Sequence, residues 1–99
     1  MVTKDCTGQF DIRYGINATP GVEPKRAVIF INGRNEWIEK YENLPNELHL
    51  KSDTLFLTWD HRGQGKSGGD RGNVETYDFY AQDLKNVLKV AEVESLPYV

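Results

Sequence analysis

The sequence has little of what marks an exported or membrane-embedded protein. Its one cysteine, Cys6, has no second cysteine to pair with, so an internal disulfide is excluded and a reducing compartment is favoured over export. Residues 1–5 begin no apolar segment of the kind that a signal peptide contains. No apolar run approaches the length of a membrane span. We therefore expect a cytoplasmic protein without a transmembrane segment.

An excess of positive charge is also missing. The formal net charge is −3, which gives no basic field for a nucleic acid, so we expect no nucleic-acid partner. The 99 residues suffice for one small domain. A hydrophobic content of 38% and a charged content of 27% are typical of a soluble globular protein.

The apolar residues follow two different strand patterns. In residues 10–16, apolar and polar side chains alternate, which predicts a half-buried, antiparallel strand. Thr7-Gly8 could turn a hairpin from a short strand at residues 2–6. Residues 28–31 and 55–59 are instead runs of apolar residues, which suit strands of a parallel sheet that are covered on both faces.

Two segments have helical periodicity. The first has apolar residues at steps of four, three and four, and Pro45 within it should kink the helix or end it near Asn43. The second has Thr76 as its N-cap and is expected to end at residues 94–97, before Tyr98-Val99 begins another strand. The apolar positions are Trp37, Tyr41, Leu44 and Leu48 in the first, and Tyr80, Leu84, Val87, Leu88 and Ala91 in the second.

This order of elements predicts an α/β fold with an antiparallel start, followed by parallel strands that crossover helices connect. An open parallel sheet binds its ligands beyond the carboxyl ends of its strands. The loops after Ile31 and Trp59 both leave from that end, so we expect them to form one rim of an active site.

The glycine-rich loop of residues 63–68 matches G-x-G-x-x-G, the pattern of dinucleotide-binding sites. Such a site requires a helix that begins at the glycines, whereas helical periodicity starts here only near Thr76. A phosphate-binding loop is excluded because Asp60 stands where its first glycine would be. We favour a structural loop beside a site, held by charge-assisted hydrogen bonds, over a catalytic role for His61.

Three segments in this order carry a resemblance to a known family: VIFINGRNEWIEKY from Val28, DHRGQGKSGGDRG from Asp60 and YAQDL from Tyr80. The chain resembles the N-terminal part of an α/β-hydrolase of the lysophospholipase and monoacylglycerol lipase group, also described as serine-aminopeptidase-like. The resemblance implies that the strand of residues 55–59 lies between the N-terminal strand and the strand of residues 28–31. It also implies hydrolysis of a small-molecule or lipid acyl ester through an acyl-enzyme, without a metal or an organic cofactor.

The resemblance assigns the backbone N–H of Arg34 to the oxyanion hole, because Asn32-Gly33 stands where the family has His-Gly. It also suggests which residues shape the loops near the site, namely Asn32, Gly33, Asp60, Arg62, Gly63, Gly65 and Ser67. No nucleophile motif lies behind the second helix. We therefore expect residues 1–99 to be the N-terminal part of a hydrolase domain, truncated before the nucleophile elbow. Without nucleophile, acid and base, the chain alone should be inactive.

Two other functions remain open from the sequence alone. The chain could be a self-standing binding or interaction domain that uses its sheet edge and glycine loops. An open apolar edge invites self-association, which counts against a stable monomer. The dinucleotide-binding domain is the third hypothesis.

Overall fold

A four-stranded mixed sheet forms the centre of the computed structural model, which describes residues 2–6, 11–33, 35–69 and 78–99. The spatial order is β1-β2-β4-β3; β2 pairs antiparallel with β1 and β4, whereas β3 and β4 are parallel. The predicted α/β class and the central place of β4 are confirmed. The strands are β1 (Val2–Cys6), β2 (Ile12–Asn17), β3 (Arg26–Ile31) and β4 (Thr54–Trp59).

The strand β2 is buried on both faces over residues 12–15, so the prediction of a half-buried strand is wrong there. The reason is Arg13, which is only 7% exposed because its guanidinium is paired with two carboxylates. The antiparallel pairing of β1 with β2 is confirmed. The predicted turn at Thr7-Gly8, together with Phe10, lies outside the described residues.

The parallel strands differ in how well they are covered. Every residue of β4 is buried, as its apolar run predicted. The same prediction is wrong for β3, where residues 28–30 are only partly buried and Ile31 is 55% exposed. The outer edge of β3 meets only the last residues of the described chain: Tyr98 bridges Ala27 in parallel, and the Ile29 N–H donates to Val99 O at 2.8 Å. The extended, strand-like pairing expected of Tyr98-Val99 is thereby confirmed.

The connection from β3 to β4 is helical in two short pieces, a 3₁₀ helix (Ile38–Tyr41) and α1 (Leu44–Glu47). Pro45 lies in the first turn of α1, where its missing N–H leaves no helical hydrogen bond unmade, so the predicted interruption is confirmed. The predicted apolar face is wrong. Trp37 and Leu48 are about half exposed, and the residues that this segment buries are Ile38 and Pro45. Because this segment forms two short helical pieces, its apolar residues cannot line one face of a single continuous helix.

The second helix, α2 (Asp78–Val90), packs on the sheet through Val87 and Leu88 as predicted. It ends at Val90, before residues 94–97, so its predicted end is wrong. Glu92 adopts a left-handed φ of 59°, and the Val93 N–H donates to Leu88 O at 3.1 Å. This Schellman closure buries Val93 beside Leu88 and ends the helix without a glycine. The proposed N-cap, Thr76, lies outside the described residues.

The core lies between α2 and the sheet. Its apolar side chains come from β2, β3 and β4, from α2 and from the segment after it: Ile12, Tyr14, Ala27, Leu55, Leu57, Trp59, Val87, Leu88 and Val93. None of the helices within the described ranges has the length and apolarity that crossing a membrane requires.

Candidate functional site

Two loops meet at one end of the sheet. The β3 loop (residues 32–37) follows β3, and the β4 loop (residues 60–69) follows β4. The strands are parallel, and the last residues of each, Ile31 and Trp59, are paired. Both loops therefore leave from the same edge, as expected for the rim of an α/β active site.

Asp60 is the fully buried centre of this rim. Its Oδ2 accepts hydrogen bonds from Arg13 Nε at 2.9 Å and from the Lys66 N–H at 3.0 Å. Its Oδ1 accepts from the Ile38 N–H at 2.8 Å. One carboxylate thus joins β2, the β4 loop and the start of the 3₁₀ helix. Hydrogen bonds and an ion pair offset the cost of burying its charge.

Arg13 extends this network to a second carboxylate. Its Nη1 and Nη2 donate to the two oxygens of Glu39 at 2.7 and 2.6 Å. These hydrogen bonds lower the pKa of Glu39 to about 2, and Glu39 is the main cause that raises the pKa of Arg13. Arg13 could not be recognised from the sequence, because an arginine at a polar position of an alternating strand has the pattern of a solvent-facing residue.

Arg62 connects the β4 loop to α2. Its guanidinium donates to both oxygens of Asp83, at 2.8 and 2.7 Å, and both side chains are buried. Paired, bidentate contacts of this kind fix orientation as well as distance. Asp83 is the aspartate of the YAQDL segment, so two of the three segments that carried the family resemblance are joined by this ion pair.

Two glycines of the β4 loop are required by its geometry. Gly63 and Gly65 have φ angles of 72° and 52°, a region that residues with a Cβ rarely adopt. A Cβ on Gly65 would also lie 2.3 Å from Asp60 Cγ. The loop closes on itself, since the Gly63 N–H donates to Gly68 O at 2.7 Å. No helix begins within residues 61–69, which counts against the dinucleotide-binding hypothesis.

Ser67 lies in a pentapeptide, Gly65 to Gly69, that fits the letters of the nucleophile-elbow pattern G-x-S-x-G. Its surroundings are structural. Its Oγ donates to Asp60 O at 2.6 Å and accepts from the Arg13 N–H at 2.9 Å. With its proton and a lone pair both engaged by main-chain groups, this hydroxyl ties β2 to the β4 loop. A nucleophile elbow would instead expose the oxygen on a strand-to-helix turn.

The β3 loop begins with Asn32, which is 3% exposed. Its Nδ2 donates to Trp59 O at 2.6 Å, and its own carbonyl lies 2.6 Å from His61 Nε2. A carbonyl oxygen only accepts, so Nε2 must carry the proton. His61 Nδ1 has no hydrogen-bond partner among the described residues. His61 is thus oriented toward the main chain of the β3 loop.

Further along the β3 loop, two main-chain N–H groups are bound by side chains. The Gly33 N–H donates to Glu36 Oε1 at 2.8 Å, and the Asn35 N–H donates to Gln64 Oε1. Asn35 has a left-handed φ of 63°, which asparagine tolerates better than most residues. Arg34, the candidate oxyanion donor, lies between these two and outside the described residues.

Glu36 is held as an anion by its neighbours. Lys40 Nζ donates to its Oε2 at 2.6 Å, and the Tyr41 hydroxyl donates to the same oxygen. These two hydrogen bonds lower the pKa of Glu36 to about 2, and Glu36 raises the pKa of Tyr41 in return. A Cβ on Gly33 would lie 2.4 Å from Glu36 Oε1, so a side chain at position 33 would require the end of Glu36 to move.

Comparisons with known proteins agree with this geometry. Residues 22–98 match the model of the family described as serine aminopeptidase, S33. The chain is 30% identical over 95 residues to the uncharacterized protein YnbC of Escherichia coli, and 26% identical over 73 residues to a monoacylglycerol lipase of Mycolicibacterium smegmatis. A crystal structure of proline iminopeptidase from Mycobacterium smegmatis superposes with a TM-score of 0.73 at 12% identity, over 98% of this chain.

The chain spans only a part of each of these proteins. The matches cover 16% of YnbC, 26% of the monoacylglycerol lipase and 34% of the iminopeptidase structure. At 12% identity, the structural likeness shows the fold alone.

Proposed function

Because this chain belongs to the serine aminopeptidase S33 family of α/β-hydrolases, we propose that it is the N-terminal part of a serine ester hydrolase domain and supplies the oxyanion side of its active site. The observation that carries the proposal is the shared rim, where the β3 loop and the β4 loop leave one edge of a parallel strand pair. The similarity to a monoacylglycerol lipase supports an acyl ester as the substrate.

In this proposal Arg34 acts through its backbone. A serine oxygen attacks the ester carbonyl and transfers its proton to a base, and the carbonyl oxygen becomes negative in the tetrahedral intermediate. The Arg34 N–H donates to that oxygen, and one such donor is worth roughly 3–4 kcal/mol to the transition state. The intermediate expels the alcohol, which takes the proton from the base, and water then hydrolyses the acyl-enzyme. No cofactor enters these steps.

The nucleophile, the acid and the base are not assigned to any residue of this chain. They belong to the part of the hydrolase domain that follows α2 in the proposal, where the next strand would pair with β3 and carry the nucleophile elbow. Lysophospholipids and monoacylglycerols are the proposed substrates, and the cytoplasm is the proposed compartment.

A chimera tests the function. This chain would replace the matching segment of the Mycolicibacterium smegmatis monoacylglycerol lipase, whose alignment includes 74% of the chain. We expect the chimera to hydrolyse a monoacylglycerol and to lose activity after fluorophosphonate treatment. The chain alone should not turn over p-nitrophenyl butyrate. A folded chimera without turnover, or fluorophosphonate-sensitive turnover by the chain alone, would contradict the proposal.

The outer edge of β3 supports self-association of the isolated chain. Ile31 is 55% exposed at the end of β3, beyond the part of this edge that pairs with Pro97 and Val99. Such an edge is a template for another strand. Sedimentation velocity of the chain should show a dimer or larger species, and substitution of Ile31 by lysine should shift it toward the monomer.

A further inference from the structure

Three side chains of the β4 loop contact main-chain groups of the β3 loop or of the residue directly after it. We call them the anchoring side chains: Asp60, His61 and Gln64. His61 Nε2 donates to Asn32 O at 2.6 Å, where the β3 loop begins. Gln64 Oε1 accepts from the Asn35 N–H, and Asp60 Oδ1 accepts from the Ile38 N–H at 2.8 Å. The contacts therefore occur at the beginning, at the middle and directly after the end of one loop.

Burial makes these contacts strong. Asp60, His61 and Gln64 are 0%, 7% and 4% exposed, so water does not compete freely for their hydrogen bonds. The local sequence places two of them together: the Gln64 N–H donates to His61 O at 3.0 Å and closes a turn. Asp60 is itself fixed by Arg13 and by the Lys66 N–H. The anchoring side chains thus belong to a rigid loop.

The contacts of Gln64 and His61 lie on either side of residue 34 in the sequence. Asn32 O is held before it, and the Asn35 N–H is held after it, with Asn35 in a left-handed conformation. An N–H that stabilises an oxyanion must be fixed before the reaction, because a displacement of about 1 Å can cost on the order of a hundredfold in rate. His61 and Gln64 supply fixed contacts to the main chain at positions 32 and 35.

We propose that Gln64, together with His61, is a positioning residue of the oxyanion side: it acts through the main chain of the β3 loop and does not touch the substrate. This inference rests on the proposed function and extends it, since it assigns a catalytic consequence to Gln64, in the middle of the DHRGQGKS segment that begins at Asp60. The identity of residue 64 then matters because its side chain supplies a hydrogen-bond acceptor. Its place in the turn that the flanking glycines make is not its only role.

Two substitutions separate the effect of the Gln64 hydrogen-bond acceptor from the effect of the size of its side chain. Gln64→Met keeps length and removes the acceptor, whereas Gln64→Glu keeps an acceptor oxygen. In the 99-residue chain, Gln64→Met should raise the hydrogen-exchange rate of the Asn35 amide about fivefold, the effect of one lost hydrogen bond. The Ile38 amide, which Asp60 binds, is the internal control and should keep its rate. Gln64→Glu should leave the Asn35 amide protected.

The Gln64→Met and Gln64→Glu variants are then tested in the lipase chimera. Gln64→Met should lower kcat about tenfold with KM unchanged, since a misplaced donor weakens the transition state more than the ground state. Gln64→Glu should restore most of kcat. A purely structural role would raise exchange at all core amides together and would not be rescued by Glu.

The inference is overturned if Gln64→Met leaves Asn35 exchange unchanged, or if kcat in an active chimera does not respond to it. If Gln64→Met does not fold, the wild-type chain gives the answer, because a hydrogen-bonded Asn35 amide resonates downfield and exchanges slowly. An unprotected wild-type amide overturns the inference. If the wild-type chimera folds and is inactive while its Asn35 amide is protected from exchange, the proposed function is refuted. The hydrogen bond between Gln64 and Asn35 would then still stand.

Discussion

Replacing Gly65 with alanine tests whether the β4 loop is built around the Asp60 carboxylate. The new Cβ would lie 2.3 Å from Asp60 Cγ and 2.4 Å from its Oδ2. Asp60 is fully buried and is held by hydrogen bonds from three elements. The alanine would therefore displace the carboxylate from Arg13 and from the N–H groups of Ile38 and Lys66.

The magnitude follows from two contributions. A left-handed φ of 52° costs alanine about 1–2 kcal/mol relative to glycine. Disrupting a buried, hydrogen-bonded charge pair costs about 3–5 kcal/mol more. Folded domains are stable by about 5–15 kcal/mol, so Gly65→Ala should remove a large share of the free energy of unfolding.

Gly21→Ala is the matched control. Gly21 also has a left-handed φ, 77°, but no heavy atom lies within 4 Å of its added Cβ. Gly21→Ala should therefore lower the free energy of unfolding only by the cost of the left-handed backbone, about 1–2 kcal/mol. Urea unfolding of each variant, followed by the fluorescence of buried Trp59, measures both values. If Gly65→Ala proves no more destabilising than Gly21→Ala, Asp60 is not the fixed centre that we describe.

Three further outcomes follow from the ion pairs and the loop. Asp83→Leu should destabilise the chain by about 3–5 kcal/mol, because it removes the carboxylate that binds the buried Arg62 guanidinium through two hydrogen bonds, and adding Arg62→Met should recover most of this in a urea titration. Glu39 has a folded-state pKa of about 2 against an ordinary value of 4.5, so its contribution is complete above pH 4.5 and is lost as the pH falls toward 2. Urea midpoints across that range should show a shallower acid decline in Glu39→Gln than in the wild type. Gly63→Val should abolish the cooperative unfolding transition, since valine disfavours a φ of 72°; a normal transition would show that the loop tolerates a side chain there.

The sheet could be predicted from the sequence because its patterns are local. The consecutive apolar residues of β3 and β4 distinguished parallel strands from the alternating β2, and the order of the strands followed from the family resemblance. Helix ends were harder to predict. The end of α2 depends on Glu92 adopting a left-handed conformation, and the burial of Val93 against the core stabilises it. A tertiary contact of that kind leaves no signal in helical periodicity.

The site was predicted only in part, for a related physical reason. The residues of the glycine loop were found because their spacing is compact, from Asp60 to Ser67. Arg13 lies 47 positions from its partner Asp60, and Asp83 lies 21 positions from its partner Arg62. Glu39 joins this network through Arg13, which is 26 positions away from it. Ion pairs between residues that are so far apart in the sequence depend on how the chain folds, and no local spacing pattern in the sequence indicates them. Arg13 stands at a polar position of the alternating pattern, so the sequence alone does not distinguish it from a solvent-facing residue.

The most direct measurement of the central claim is the backbone amide resonance of Arg34 in the lipase chimera before and after reaction with a phosphonate ester. Phosphonylation of the serine places a polarised phosphoryl oxygen where the carbonyl oxygen of the substrate becomes negative. The account predicts that the Arg34 amide moves downfield and exchanges more slowly, as an N–H does when it gains an oxyanion partner. An Arg34 resonance that stays unchanged in the phosphonylated protein would contradict the claim that this chain supplies the oxyanion side of the site.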